Sequence, residues 1–148
     1  MSLALFVATL GGVGRLRPAP GTWASAVVLP LVLLGPMACL ALAVLLGIAG
    51  YWAAQTVVAQ DDPDPSWFVA DEGAGMLIAL AALPGSSLSG VLIAFALFRL
   101  FDITKPGPVG WADRRKGAFG IMLDDILAGC IAAAILMLLV IFAPGVLH

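Results

Sequence analysis

Two pairs of adjacent carboxylates stand inside otherwise apolar sequence: Asp71-Glu72 in 68-FVADEGAGMLIALAAL-83 and Asp124-Asp125 in 119-FGIMLDDILAG-129. A fifth acid, Asp102, closes the run 91-VLIAFALFRLFD-102. Carboxylates at the ends of apolar helices are costly and mark function by default. Oxygen donors without histidine or cysteine suit a hard cation, Mg²⁺ above all. Five such groups gathered on one face would repel one another, and a divalent ion relieves that repulsion. Neighbours on a helix point about 100° apart, so one member of each pair could face an ion while the other faces a second ion, a water or an arginine. Gly73, Ala74 and Gly75 follow the first pair, and Ala128 and Gly129 follow the second. Small residues let helices approach closely, as a shared metal site requires.

Basic residues lie nearby. Arg99 and Asp102 are three apart on one helix and able to pair. Lys105 follows, just before Pro106 and Pro108. The segment 11-GGVGRLRPAPGT-22 carries Arg15 and Arg17 and leads into a helix expected to start at Thr22. Backbone N–H groups at such a start, with two guanidinium groups, suit an anion such as phosphate, although an ordinary turn has the same composition. Two other motifs fail on context. The run 62-DPDPS-66 follows a helix rather than a strand, and GGVGRL lacks the GK[ST] of a phosphate-binding loop. The lone histidine is His148, which removes histidine nucleophiles and bases. Cys39 and Cys130 sit far apart in apolar runs without metal spacing and read as small buried side chains, not nucleophiles.

The elements that must carry these residues follow from where charge is missing. The chain has 148 residues, 62% hydrophobic and 11% charged, with mean hydropathy +1.11. A soluble domain is about 25% charged, so this is expected to be a single integral membrane domain. The N-terminal MSLALFVATL has no basic region and does not read as a cleaved signal peptide. Net charge is −2 with scattered basic residues, so nucleic acid is not expected as a partner. Charges fall in windows 15–17, 61–72 and 99–125. The uncharged gaps predict an all-α polytopic bundle of about five membrane-inserted helices, near 22–34, 37–59, 66–83, 86–102 and 121–143, with 3–10 as a short interfacial or re-entrant helix. Two hairpins return the chain to its starting face, so all three windows share one side. All seven Lys and Arg lie there, which makes it cytoplasmic. Trp23, Trp67 and Trp111 fall at the same boundary, where indoles suit the headgroup layer. Ordinary loop polarity competes as an explanation for Asp61, Asp62, Asp64 and the 113–116 cluster. It does not account for the acidic pairs inside helices.

A metal site with basic neighbours at headgroup depth points to an anionic lipid headgroup as substrate, and to phosphoryl transfer to water as the reaction. A small ion transporter using carboxylate ligands is the rival reading. It needs charge toward the far face, where the helices have none. A structural or assembly subunit leaves the acidic pairs unexplained.

The stretches GVGRLRPAPGTWAS, VADEGAG and FRLFDITKPGPVGWADRRKGAFGIMLDDILAG, spread over residues 12–129, resemble the phosphatidylglycerophosphatase A family. The last is long and specific. One departure is Ala24, where the family usually shows glycine in PGTxGS. The resemblance implies a Mg²⁺-dependent enzyme of the bacterial inner membrane that converts phosphatidylglycerophosphate to phosphatidylglycerol and phosphate. It implies that Asp71, Glu72, Asp102, Asp124 and Asp125 form the metal site, with catalysis among Asp71, Glu72, Asp102 and Asp125. It makes Arg99 and Lys105 phosphate partners, with Arg15, Arg17 and Thr22 as further substrate-binding candidates. Either a carboxylate or water could attack phosphorus, and metal-activated water with a carboxylate base is the favoured reading.

Overall fold

A computed structural model describes residues 1–59 and 61–148, and among these the chain is helical, with no strand. Helix α1 (Leu3–Ala8) is capped by Ser2, whose hydroxyl accepts from the Leu5 N–H at 3.2 Å. Helices α2 (Pro20–Val27) and α3 (Pro36–Val57) both begin on proline, which suits a first turn because the missing N–H has no partner to lose there. A 3₁₀ stretch (Leu29–Leu34) links them and ends at Gly35, whose φ of 91° favours glycine. Helix α4 (Ala70–Ala81) opens on the first acidic pair. Helix α5 (Leu88–Thr104) starts at Ser87, which accepts from the Gly90 N–H at 3.1 Å, and stops at Lys105, a left-handed residue (φ 48°) followed by Pro106. Helices α6 (Pro108–Asp113) and α7 (Gly117–Phe142) complete the chain's long elements.

Helix α4 is the centre, packing against α2, α3, α5 and α7. Its crossing with α7 is backbone to backbone. A Cβ placed on Gly129 would lie 3.0 Å from Gly75 Cα, and one placed on Gly75 would lie 3.0 Å from the Asp125 carbonyl carbon. Phe98 of α5 is fully buried and closes over the same crossing. Large aliphatic side chains stay exposed along α3 (Leu40, Val44, Ile48) and α7 (Met137, Ile141, Phe142). Helices apolar on all faces are made for a non-aqueous surround.

The all-α expectation holds, but the five-span bundle is met only in part. Among the described residues two helices, α3 and α7, are long and apolar enough to cross a membrane. The arm expected near 22–34 is α2 plus the 3₁₀ stretch, and α2 starts at Pro20, before Thr22. The arm expected at 66–83 is shortened to 12 residues in α4, about 18 Å at 1.5 Å per residue, against a hydrocarbon core of about 30 Å. It cannot extend backwards because residues 67–69 are already used. The Val69 N–H donates to the Ala8 carbonyl at 2.8 Å, and Gly14 presses its backbone on Trp67. The region expected to be loop between α5 and α7 contains α6, nucleated by Gly107 (φ 47°) and Pro108. Cys39 is buried, with its thiol 3.4 Å from the Leu31 carbonyl, but Cys130 is exposed on α7, where a helix apolar all round needs no burial of one small side chain. Ala24 lies inside α2, fully buried, not in a turn.

Candidate active site

The start of α4, the end of α5 and the first turns of α7 meet at one end of the molecule. They enclose a cavity of about 320 Å³ lined by Asp71, Glu72, Arg99, Asp102, Lys105, Asp124 and Asp125. Seven residues from two windows of sequence therefore share one hollow. Asp71, Glu72 and Asp125 offer oxygens within 4.8 Å of one another. Asp71 is 7% exposed and Asp125 3%. Unit negative charges at 4.8 Å repel by about 3.5 kcal/mol per pair at an effective dielectric of about 20. Asp71 Oδ1 and Glu72 Oε2 are buried without a hydrogen-bond partner. Buried oxygens left unpaired in a like-charged cluster fit a hard divalent cation.

Asp102 and Asp124 face other partners. Asp102 accepts from Arg99, whose Nε is buried and without a partner. Asp124 accepts from Lys105 Nζ at 2.9 Å and from the Asp125 N–H at 3.0 Å. Lys105 also donates to Asp113 of α6. Burial pulls the Lys105 ammonium down, but the hydrogen bonds and charges of Asp113 and Asp124 more than reverse this and hold it above the usual lysine value. Lys105 is thus a charged clasp between α6 and α7. Its left-handed backbone, disfavoured by about 1–2 kcal/mol for a side-chain-bearing residue, aims it back over the cavity mouth.

Arg15, Arg17 and Thr22 do not line this cavity. Both arginines are exposed, and Thr22 is half-buried in α2. The glycine-rich loop in front of them is occupied structurally: the Thr9 hydroxyl accepts from the Gly12 N–H at 3.0 Å, and Gly14 seats the loop against Trp67. The residues of that segment that do reach the site are Ala19, Pro20 and Gly21. A Cβ on Gly21 would stand 3.0 Å from Glu72 Cδ and 3.3 Å from Arg99 Nη1, so α2 contributes bare backbone as a wall. Buried Ser25 fixes that wall by donating its hydroxyl to the Gly21 carbonyl at 2.8 Å. Sequence reasoning missed Gly21 and Ser25, whose signal was the PGTWAS stretch itself. It also left Asp64, which lines the cavity, and Asp113 as loop charges.

The chain matches the phosphatidylglycerophosphatase A family over residues 6–140. It is 41% identical over 139 residues to the phosphatidylglycerophosphatase A of Haemophilus influenzae, covering 89% of this chain and 82% of that protein. It is 41% identical over 123 residues to the Escherichia coli protein of the same name, covering 79% and 72%. A Bacteroides thetaiotaomicron protein, provisionally named a phosphatidylinositol-3-phosphatase, is 41% identical over 138 residues, covering 86% and 87%. No solved structure matches the chain. The matched span takes in every residue that lines the carboxylate cavity. The chain belongs to the phosphatidylglycerophosphatase A family.

Proposed function

We propose that the protein hydrolyses phosphatidylglycerophosphate to phosphatidylglycerol and phosphate, using Mg²⁺, at the cytoplasmic face of a bacterial inner membrane. The observation that carries this is the buried cluster of Asp71, Glu72 and Asp125, two of whose oxygens lack partners, in a chain of this family. Those three residues would hold the cation. When bound, it would offset two of the three negative charges and polarise the phosphoryl group and the attacking water. The unpartnered Arg99 Nε suits a phosphate oxygen, and Asp102 keeps that guanidinium turned to the cavity. Lys105 adds positive charge at the rim.

Water is the favoured nucleophile because five of the six carboxylates that line the cavity have other work, Asp64 being the sixth. Three belong to the cation, Asp102 is tied to Arg99, and Asp124 to Lys105. Water's oxygen bonds to phosphorus, the bond from phosphorus to the glycerol oxygen breaks, and a carboxylate takes the proton from water and passes it to the departing alkoxide. Location at the cytoplasmic face is supported by two membrane-length apolar helices and by charges concentrated at the cavity end. In the fuller arrangement we favour, α2, α4 and α5 are also inserted, with α1 lying at the interface.

The test is phosphate release by the purified protein from phosphatidylglycerophosphate, with Mg²⁺ and with chelator, beside phosphatidylinositol 3-phosphate as competing substrate. Mg²⁺-dependent turnover, faster on the first lipid, is expected. Asp71→Asn and Asp125→Asn should each lose at least about 100-fold in kcat while unfolding near the wild-type temperature. Full turnover in chelator, or in both variants, overturns the reading.

A further inference from the structure

A second set of hollows runs from the lipid-facing surface to the catalytic cavity. Along the seam of α3 and α7 lie two apolar clefts of about 350 and 270 Å³ that share Gly47, Ile48 and Ile126. At Tyr51 and Phe119 the larger cleft borders a cavity of about 750 Å³ whose polar lining includes Gln55 and Lys116. That cavity shares Pro63, Lys116 and Gly117 with a hollow of about 100 Å³ whose other charged lining residues are Arg115, Asp64, Asp113 and Asp124. This hollow in turn shares Asp64 and Asp124 with the carboxylate cavity. Each hollow thus shares lining residues with the next, and the series passes around the start of α7.

Its chemistry changes in order. The deep part, from Leu40 to Tyr51 on α3, is apolar and about 16 Å long at 1.5 Å per residue. That is about half of a 30 Å hydrocarbon core, or one leaflet. Gly47 keeps it open, since a Cβ there would meet nothing within 4 Å. Tyr51 and Gln55 hydrogen-bond to each other at 3.2 Å where the cleft widens. Beyond them stand two cations that form no ion pair among the described residues: Lys116, and Arg115, whose guanidinium is stacked 4.2 Å from the Trp111 ring centre. The carboxylate cluster comes last. The α2 backbone at Gly21 walls the same cavity, pressing on Glu72 and Arg99.

We propose that the lipid substrate lies along this series, with an acyl chain in the α3–α7 cleft, its phosphodiester at Lys116 and Arg115, and its terminal phosphomonoester at the carboxylate cluster. The proposal rests on the lipid-phosphatase reading and adds the direction of approach and a specificity subsite. The substrate carries two anionic groups one glycerol unit apart, and the protein offers two pairs of basic side chains, Lys116 with Arg115 and then Arg99 with Lys105, in the same order; Asp113 and Asp124 beside the first pair are already bound to Lys105. The acyl chain is already in an apolar medium when in the bilayer, so the cleft orients it rather than adding hydrophobic free energy. The cations discriminate: a lipid phosphomonoester without a phosphodiester gains nothing from them.

Two experiments test this. A phosphatidylglycerol carrying a photoreactive group on one acyl chain is crosslinked to the protein in mixed micelles. Labelling is expected at residues 40–51 and 119–126, displaced by unlabelled phosphatidylglycerol and not by phosphatidylcholine, and reduced about tenfold by Gly47→Leu, which fills the cleft. Labelling confined to α2 and α5, or displaced equally by both lipids, overturns the proposal. In the second, Arg115 and Lys116 are both changed to Gln on the exposed surface. Because the phosphodiester stays distant from the reacting bond, KM for phosphatidylglycerophosphate rises with kcat held. The preference for it over phosphatidic acid should fall about tenfold, as for lost charge-assisted hydrogen bonds. A preference unchanged within about twofold overturns the subsite. Crosslinking requires no turnover, so cleft labelling by a protein that releases no phosphate sinks the phosphatase reading alone, whereas turnover without cleft labelling sinks this one alone.

Discussion

Gly129→Ala adds one methyl group where α4 and α7 touch. The new carbon would lie 3.0 Å from Gly75 Cα and 2.9 Å from its carbonyl carbon, and closer still to the carbonyl oxygen. Ordinary carbon contacts are about 3.5–4.0 Å, and the obstacle is backbone, so no side chain can swing aside. The helices must separate by about 1 Å, and overpacking of this kind costs about 1–3 kcal/mol. Asp71 and Glu72 ride on α4 and Asp125 on α7, one turn before Gly129, so the separation is transferred to the cluster of three. A misplacement of about 1 Å in a catalytic group lowers turnover about 100-fold. The assay is kcat on phosphatidylglycerophosphate at saturating Mg²⁺, with thermal unfolding in detergent run in parallel. Gly85→Ala is the control, since nothing lies within 4 Å of a Cβ there and the residue is in the distant α4–α5 turn. The expected result is a kcat loss of about 100-fold in Gly129→Ala with a lower unfolding temperature, and wild-type behaviour in Gly85→Ala. Wild-type kcat in Gly129→Ala would refute the claim that this crossing sets the spacing of the carboxylates.

Gly21→Ala meets the flexible ends of Glu72 and Arg99 rather than backbone, so it should fold normally, with unfolding within about 1 kcal/mol of wild type, yet lose activity by about tenfold or more as both side chains are displaced. Wild-type turnover would show that the α2 wall is not in contact with the working site. Asp113→Asn removes the more exposed partner of Lys105, 38% exposed, and should cost less than about 1 kcal/mol in denaturant unfolding. Lys105→Met leaves Asp124, 9% exposed, without its cation and should cost about 2 kcal/mol or more. The reverse order of these two costs would refute the clasp as described.

The helical class was legible because charge is confined to three windows, and the gaps between them leave few alternatives to apolar helices. The meeting of Asp71, Glu72 and Asp125 was legible from the glycines that follow each pair, since only close helices could bring distant carboxylates together. The length of α4 was not, because its N-terminal limit is set by Ala8 and Gly14, which reach residues 67–69 from far away in sequence. Hydropathy has no memory of such contacts. The roles of Asp102 and Asp124 were only half legible. Their residue type permits metal binding, while their partners, Arg99 and Lys105, depend on rotamers and on the left-handed turn at Lys105. Gly21 escaped notice because a glycine that serves by offering no side chain carries no chemical signature of its own. The arginines of the glycine-rich loop drew attention for the opposite reason: charge is conspicuous in an apolar chain even when the backbone beside it is what packs.

Because the cluster draws two members from α4 and the third from α7, it cannot exist on a nascent polypeptide until translation has passed Asp125 and α7 has docked on Gly75. Before that moment Asp71 and Glu72 face no carboxylate of α7, and a ribosome-bound fragment lacks the assembled cluster. Completion of the last long helix is therefore also the step that arms the protein, so its chemistry is silent until its assembly is finished.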